Sequence, residues 1–179
     1  MENGDFIMGK FRDWFRVIVF PITIIFCVIK LIWRLIDRFF ARKFLKNIDI
    51  RDIDGLDGLA FEEFLYQSFR NIGVKVSKTR SSGDYGADLV LNLKNGRIVI
   101  QSKLYYNHNV GNSAVQEVAS ARNYYNADSG VVITNSYFTK AAINLADATN
   151  IKLIDRNMLQ EFLSSDKSTK LSIINEWQI

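Results

Sequence analysis

Residues with the chemistry of a phosphate or metal site are concentrated between Asp88 and Lys103. The segment Arg97–Leu104 alternates apolar and polar residues, which is typical of a half-buried strand. Gln101 and Lys103 share one face of this strand, because residues i and i+2 point the same way. Asn95-Gly96 separates it from the apolar segment that follows Asp88, and this dipeptide predicts a hairpin. We therefore expect Asp88 to lie close to the Gln101–Lys103 pair.

These side-chain types suit metal-assisted hydrolysis of a phosphodiester. The Asp88 carboxylate, the Gln101 amide oxygen and the Ser102 backbone carbonyl are hard ligands of the kind that Mg²⁺ prefers, with Mn²⁺ as an alternative. Such an ion lowers the pKa of its bound water and offsets charge on the phosphate. Lys103 can position or deprotonate the attacking water and stabilise developing negative charge. On the residues alone, a chance arrangement on a solvated sheet edge remains the alternative.

Glu62 is a further catalytic candidate, and three other titratable residues have favoured roles outside the site. Glu62 lies at the edge of the apolar stripe of a predicted helix, where it can reach a site at the helix–sheet junction and hold a second ion or orient a water. Glu63 falls opposite the stripe and is predicted to be a solvated surface residue. Asp84 follows Gly83 in a turn, so turn chemistry is its favoured role. His108, the single histidine, lies in a polar loop.

The hydrophobic pattern predicts helices and strands that alternate after Asp57. Asp57 is the expected cap of the first helix, and Ser113 to Gln116 has the form of a capping box. The strand–helix–strand order makes the fourth strand parallel to the third. The predicted helices are Gly58–Ile72, Ser113–Ala127, Thr139–Ala148 and Asp155–Leu163, and the predicted strands are Val74–Lys78, Ala87–Leu93, Arg97–Leu104, Gly130–Thr134 and Ile151–Ile154.

The net charge of +4 resides wholly in the apolar N-terminal third. Residues 1–50 hold 9 Lys/Arg against 5 Asp/Glu, and residues 51–179 hold 14 of each. The uncharged run Val17–Ile29 is short for a membrane span, but it reaches the required length through Trp33 if Lys30 snorkels. We predict a transmembrane helix at residues 13–38, with an interfacial anchor or a buried core helix as alternatives. The heavier positive flank after it places the C-terminal part in the cytoplasm, as a single-pass protein.

The predicted organisation follows from these shifts in composition. Residues 1–12 form a polar tail, 13–38 the apolar helix, 39–54 a basic and then acidic linker, 55–165 the globular domain and 166–179 a C-terminal tail of unassigned role. Cys27 is the only cysteine, which excludes an intrachain disulfide and a Cys-rich zinc site.

Taken in order, the motifs of residues 55–163 resemble the Mrr-type restriction endonuclease domain of the PD-(D/E)xK nuclease superfamily. The motifs are Gly58-Leu59-Ala60-Phe61-Glu62, Gly83-Asp84-Tyr85-Gly86-Ala87-Asp88-Leu89-Val90, Val99-Ile100-Gln101-Ser102-Lys103, Val110-Gly111, Val115-Gln116-Glu117-Val118, Gly130-Val131-Val132-Ile133-Thr134-Asn135 and Leu153-Ile154-Asp155. The resemblance implies an α/β fold with a restriction-endonuclease-like αβββαβ core, its central mixed sheet flanked by helices, after one hydrophobic helix.

The resemblance also implies magnesium-dependent cleavage of DNA, with foreign or modified DNA as a candidate substrate. Asp88 matches the family's metal-binding acid, and Gln101 and Lys103 match its Q-x-K variant. Glu62 matches the acid of the first helix. Ser102 stands where this variant often has a cysteine. The neutral Gln101 departs from the acid of the wider superfamily, which predicts weak metal affinity, and Gln116 and Glu117 match a further motif.

The architecture leaves a rival interpretation open. Mrr-type restriction enzymes commonly carry a DNA-binding domain beside the nuclease domain, and the N-terminal region here is too short and too apolar to be one. Residues 51–179 have a net charge of zero, so the sequence shows no evident electrostatic attraction of this part to DNA. Target choice would then come from a homo-oligomer or a separate targeting partner. The alternative is a catalytically weak or inactive nucleic-acid-binding or scaffold module, and RNA is a weaker third choice of substrate.

Overall fold

The computed structural model describes residues 25, 28–30, 48–79 and 85–178. The chain divides into two units, Met1–Lys46 and Asn47–Ile179. In the first unit the described residues are helical and their side chains are exposed. The remainder of the predicted transmembrane helix at 13–38, the tail 1–12 and most of the predicted linker lie outside the described residues. Within the described part of the chain, no helix is long and apolar enough to cross a membrane.

The second unit is built on a five-stranded sheet. The order of the strands in space, β1-β2-β3-β4-β5, is their order along the chain. The strands are Lys75–Lys78 (β1), Leu89–Leu93 (β2), Gly96–Lys103 (β3), Ser129–Thr134 (β4) and Ile151–Ile154 (β5). The first three are antiparallel neighbours, and β4 and β5 run parallel to β3. This mixed sheet confirms the predicted α/β class and the parallel fourth strand.

Helices flank the sheet. They are Ile50–Ile53 (α1), Gly58–Asn71 (α2), Asn112–Tyr124 (α3), Lys140–Thr149 (α4), Arg156–Ser164 (α5) and Lys167–Glu176 (α6). Asp57 and Asp155 cap α2 and α5, as predicted, since their side chains accept hydrogen bonds from backbone N–H groups of the first turn. The order α2-β1-β2-β3-α3-β4 is the predicted αβββαβ core.

Alternate residues of β3 belong to different layers of the core. Val99 packs in one buried cluster with apolar residues of α3 and α4, among them Val115, Val118 and Ala142. Ile98 and Ile100 point away from that cluster and are fully buried on the opposite face. Gln101 and Lys103 share the face of Val99, so α3 is the helix that lies beside the polar end of β3.

The C-terminal residues contribute to the core, which the sequence interpretation missed. Residues 167–176 form α6, capped by Asp166, where the sequence predicts only a tail. Trp177 is 2% exposed and contacts Phe69 of α2 and Phe162 of α5, with ring centroids 6.1 Å and 5.8 Å apart. Aromatic pairs at this spacing are favourable beyond the area they bury. The end of the chain therefore ties two helices together.

One local prediction was wrong, and the start of β3 differs by a residue. The predicted capping box at Ser113 is not formed, because α3 begins at Asn112 with Gly111 as its N-cap and without a side-chain cap. Backbone hydrogen bonds of Val110 to Tyr137 and Thr139 fix the chain just before the helix and set its start. The predicted hairpin between β2 and β3 is confirmed. Its loop is Lys94-Asn95, and Gly96 pairs with Leu93, so β3 begins one residue before the predicted Arg97.

Residues 50–53, which fell in the predicted linker, form α1 in the second unit. Ile50 and Ile53 are buried there. The residue after this helix, Asp54, forms an ion pair with Arg156 at the start of α5. The chain just before α2 is therefore packed against the C-terminal half of the domain.

Candidate active site

Asp88 lies one residue before β2, and β3 holds its carboxylate. The backbone N–H and the hydroxyl of Ser102 both donate to Asp88 Oδ2 at 2.7 Å. The Gln101 side-chain amide donates to the same oxygen, with Nε2 at 3.0 Å. The backbone N–H of Asp88 donates to Ile100 O at 2.8 Å, which continues the β2–β3 pairing. The structure thus brings together the three residues that were predicted as metal ligands.

The Gln101 amide lies at the centre of this group. The residue is 5% exposed, and its Nε2 is also 3.5 Å from the Ser102 carbonyl oxygen. The amide nitrogen is therefore a donor placed between two acceptors, Asp88 Oδ2 and Ser102 O. Its Oε1 is buried and has no hydrogen-bond partner among the described residues. A buried acceptor without a partner costs about 1–3 kcal/mol.

The donor set fits a hard divalent cation. An ion beside Asp88 Oδ2 and Ser102 O would occupy the neighbourhood in which the Gln101 amide nitrogen lies. A half-turn of the amide would present Oε1 to the ion and give that buried oxygen a partner. Within the described part of the chain, no group of three or more His, Cys, Asp and Glu residues could hold a metal. A site here would therefore depend on an amide and a backbone carbonyl beside one carboxylate.

Lys103 is oriented by Glu117, a motif residue for which the sequence predicts no contact with the site. Its Nζ lies 2.6 Å from Oε2 of Glu117 on α3. Lys103 keeps about a quarter of its side-chain surface exposed, at 23%. A pattern in α3 could have indicated this contact, because Glu117 lies three residues after Ala114 and four before Ala121, which are both buried. At helical spacing Glu117 is therefore on the edge of the face that packs on the sheet.

The turn before Asp88 rests on the same helix. Tyr85 and Gly86 both have positive φ, +54° and +89°. A Cβ placed on Gly86 would lie 2.5 Å from the backbone oxygen of Glu117, so only glycine allows this close approach. The Tyr85 ring stacks on Tyr124 at the end of α3, with centroids 3.7 Å apart. One helix thus positions both the turn that leads to Asp88 and the amine of Lys103.

The remaining predicted residues have separate locations. Glu62 is half-buried on α2, and its role in the site stays a prediction. Glu63 is exposed, pairs with Lys78 at 2.6 Å and accepts from Gln67, which confirms the prediction that it is a surface residue. Asp84 lies outside the described residues. His108 is exposed in the loop after β3, where its ring lies against Tyr105.

The fold and the polar group at the ends of β2 and β3 define an α/β protein of the restriction-endonuclease-like class. A family model named Mrr_cat and described as restriction endonuclease matches residues 53–163, which is more than half of the 179 residues. The chain belongs to this restriction endonuclease family. The family predicted from the ordered motifs is therefore confirmed.

Two solved structures are similar to parts of the chain. One is a protein of unknown function, AF1548, with a TM-score of 0.45 and 15% identity over 52% of this chain and 55% of that one. The other is the MspJI restriction endonuclease in complex with a 27-mer oligonucleotide, with a TM-score of 0.41 and 22% identity over 72% of this chain and 34% of that one. The chain thus spans about half and a third of their lengths. No curated protein matches it significantly.

Proposed function

We propose that the protein is a metal-dependent endonuclease that hydrolyses phosphodiester bonds of DNA, with Mg²⁺ or Mn²⁺ as the ion. One observation carries the proposal. In a chain of the restriction endonuclease family, the Asp88 carboxylate and the Ser102 carbonyl meet around the amide of Gln101. Foreign or modified DNA is the substrate class that the Mrr-type resemblance suggests.

In this proposal the ion is held by Asp88, by Ser102 through its carbonyl oxygen and by Gln101 after its amide turns. The bound ion would supply Lewis acidity and a water of lowered pKa. The Ser102 hydroxyl and backbone N–H keep Asp88 Oδ2 in place by their two hydrogen bonds. Lys103 directs N–H groups toward the water or the phosphate and stabilises negative charge as it develops. Glu62 would orient a water or hold a second ion from the side of α2.

The test is cleavage of supercoiled plasmid by the full-length protein in detergent, with Mg²⁺, Mn²⁺ or EDTA. Nicked or linear DNA should appear with either ion and not with EDTA. Asp88→Asn and Lys103→Ala should abolish it, whereas the matched exposed substitutions Asp147→Asn and Lys140→Ala should not. Cleavage that persists in Asp88→Asn would refute the assignment of this site.

The rival proposal is a binding or scaffold module with weak or no turnover. It is favoured by the uncharged Gln101 at the ion position and by the zero charge balance of residues 51–179. DNA binding without metal-stimulated cutting, on plain and on modified duplexes, would support it. A parallel reaction with RNA tests the third choice of substrate. Gel filtration tests whether the protein forms a homo-oligomer, which is one of the two proposed sources of target choice.

Membrane attachment through residues 13–38, with the second unit in the cytoplasm, is proposed from the sequence alone. The support is the apolar run flanked by tryptophans and the heavier positive flank that follows it. Carbonate extraction of membranes from expressing cells tests it. Release of the full-length protein without detergent would show that the segment does not span.

A further inference from the structure

A cavity of about 430 Å³ lies at the carboxyl ends of β3 and β4. Lys103 at the end of β3 pairs in register with Thr134 at the end of β4. Tyr105 and Asn135 follow at once, and the Tyr105 backbone N–H donates to Asn135 Oδ1 at 2.9 Å. Tyr105 is two residues beyond Lys103, where the chain leaves β3.

The floor of the cavity is the Asp54–Arg156 ion pair, which has no net charge. Arg156 donates two hydrogen bonds to the two carboxylate oxygens of Asp54, each at 2.7 Å. Asn135 adds a third, with Nδ2 at 2.9 Å from Oδ1 of Asp54. Arg156 also donates to the backbone oxygen of Asn135 at 2.8 Å. Each charge is neutralised by its partner, so the floor offers little attraction to a phosphate.

The walls are aromatic rings and amide side chains. The Tyr105 and His108 rings contact each other, with centroids 4.1 Å apart and planes tilted by 30°. Tyr106 is 66% exposed, and its hydroxyl donates to the backbone oxygen of Leu56, which anchors the loop. Ser136 Oγ donates to His108 O at 2.9 Å and fixes the other end of the loop. The amides of Asn107 and Asn109 complete the exposed rim.

We propose that this cavity binds one nucleobase of the substrate strand beside the phosphate held at Lys103; the proposal rests on the nuclease function proposed above. Exposed aromatic faces stack on bases of any sequence, because every base has a π-face. Asparagine amides both donate and accept, as the edges of bases require. A neutral floor with aromatic walls suits an uncharged heteroaromatic ring and not a phosphate or a sugar alone.

His108 is a reporter within the cavity, because it is the only histidine in the chain. Full-length protein labelled with ¹³C-histidine, in detergent micelles, gives ring resonances from this residue alone. The probes are 2′-deoxyadenosine, 2′-deoxycytidine and thymidine at millimolar concentration, with inorganic phosphate and 2-deoxyribose in separate titrations. The ring resonances should move saturably with at least one nucleoside and stay in place with phosphate and deoxyribose. Unmoved resonances in every nucleoside titration, or an equal shift with phosphate, would overturn the proposal.

Two substitutions at Tyr106 distinguish the contribution of its ring to nucleoside binding from that of its hydroxyl. Because stacking of a base on an aromatic ring contributes about 1–3 kcal/mol, Tyr106→Ala should weaken nucleoside binding about tenfold or more. Tyr106→Phe keeps the ring and should bind nucleosides within about threefold of the wild type. Equal weakening by both would show that the hydroxyl's anchor matters and would refute stacking by this ring. If Tyr106→Ala loses its native circular dichroism spectrum, the nucleoside titrations of the wild type and of Tyr106→Phe test the proposal.

The titration requires no cleavage, so the two proposals can fail separately. Asp88→Asn should lose plasmid cleavage and retain the nucleoside-induced shift of His108. A nuclease without that shift would refute only the nucleobase cavity. A nucleoside-dependent shift in a protein that never cleaves would refute only the nuclease.

Discussion

The side-chain amine of Lys103 lies 2.6 Å from the carboxylate of Glu117, across the contact between β3 and α3. The backbone oxygen of the same glutamate lies against Gly86, in the turn that leads to Asp88. Glu117 therefore contacts Lys103 of β3 through its side chain and the turn before β2 through its backbone. The two contacts can be tested independently.

Glu117→Gln should lower the rate of plasmid cleavage by roughly 10–100-fold, the usual effect of losing a partner that orients a group in a metal site. The loss should appear mainly in kcat, because the amine would still be present but no longer held in one direction. Stability should change by about 1 kcal/mol or less, since the pair is partly exposed. Glu161→Gln, on the exposed side of α5, is the matched control and should cleave at the wild-type rate. Wild-type kcat in Glu117→Gln would show that Lys103 needs no orientation by α3.

Gly86→Ala should reduce the free energy of unfolding by about 2 kcal/mol or more. The backbone has a φ of +89°, and the added Cβ would overlap the backbone of Glu117. Gly58→Ala is the control, because a Cβ at that helical position meets nothing within 4 Å. It should leave the free energy of unfolding unchanged or raise it by up to about 1 kcal/mol. Urea denaturation followed by circular dichroism measures both, and equal effects of the two substitutions would contradict the close approach.

Gln101→Glu should increase the affinity of the site for Mg²⁺ by about tenfold, because a second carboxylate would face the ion. In EDTA the variant should unfold at a lower temperature than the wild type, since two carboxylates would share one buried site. Added Mg²⁺ should then raise its Tm by more than it raises that of the wild type. Gln160→Glu on the exposed surface of α5 is the control. If added Mg²⁺ leaves the Tm of both the wild type and Gln101→Glu unchanged, no ion binds at this position.

The Asp54–Arg156 pair should make stability depend on pH. Hydrogen bonds from Arg156 hold the pKa of Asp54 below its ordinary value of 3.8. A carboxylate with a lowered pKa stabilises the fold above the unfolded-state value, and the contribution is lost as the pH falls through the folded-state pKa. Asp54→Asn should therefore cost about 1 kcal/mol at neutral pH, and the difference should shrink below about pH 4. Thermal unfolding across this range checks it, and a difference that widens on acidification would contradict the assignment.

Elements defined by local patterns could be predicted from the sequence. The alternation in β3, the apolar stripe of α2 and the capping residue Asp57 each depend on a few neighbouring residues, and the structure agrees with all three. The approach of Asp88 to Gln101 was predictable for the same reason, because a short hairpin connects their strands.

Features decided by distant contacts could not be predicted. The start of α3 depends on Val110 being held by Tyr137 and Thr139, which lie more than 25 residues further along the chain. The apolar residues of α6 follow no clear helical periodicity. Trp177, which follows this helix, packs against the distant residues Phe69 and Phe162. Glu117 was visible as a motif residue, but its contact with Lys103 requires the packing of α3 on the sheet.

The agreement between strand order in space and in sequence has a consequence during synthesis. Each strand joins the sheet at the edge of one that has already been made, so the sheet can grow stepwise as the chain leaves the ribosome. Asp88, Gln101 and Ser102 can meet before α3 exists, whereas Lys103 acquires Glu117 only later. The last aromatic residue, Trp177, closes the core against α2 and α5. A chain without Trp177 would therefore lack the ring that joins Phe69 of α2 to Phe162 of α5, while every residue of the polar site is already present.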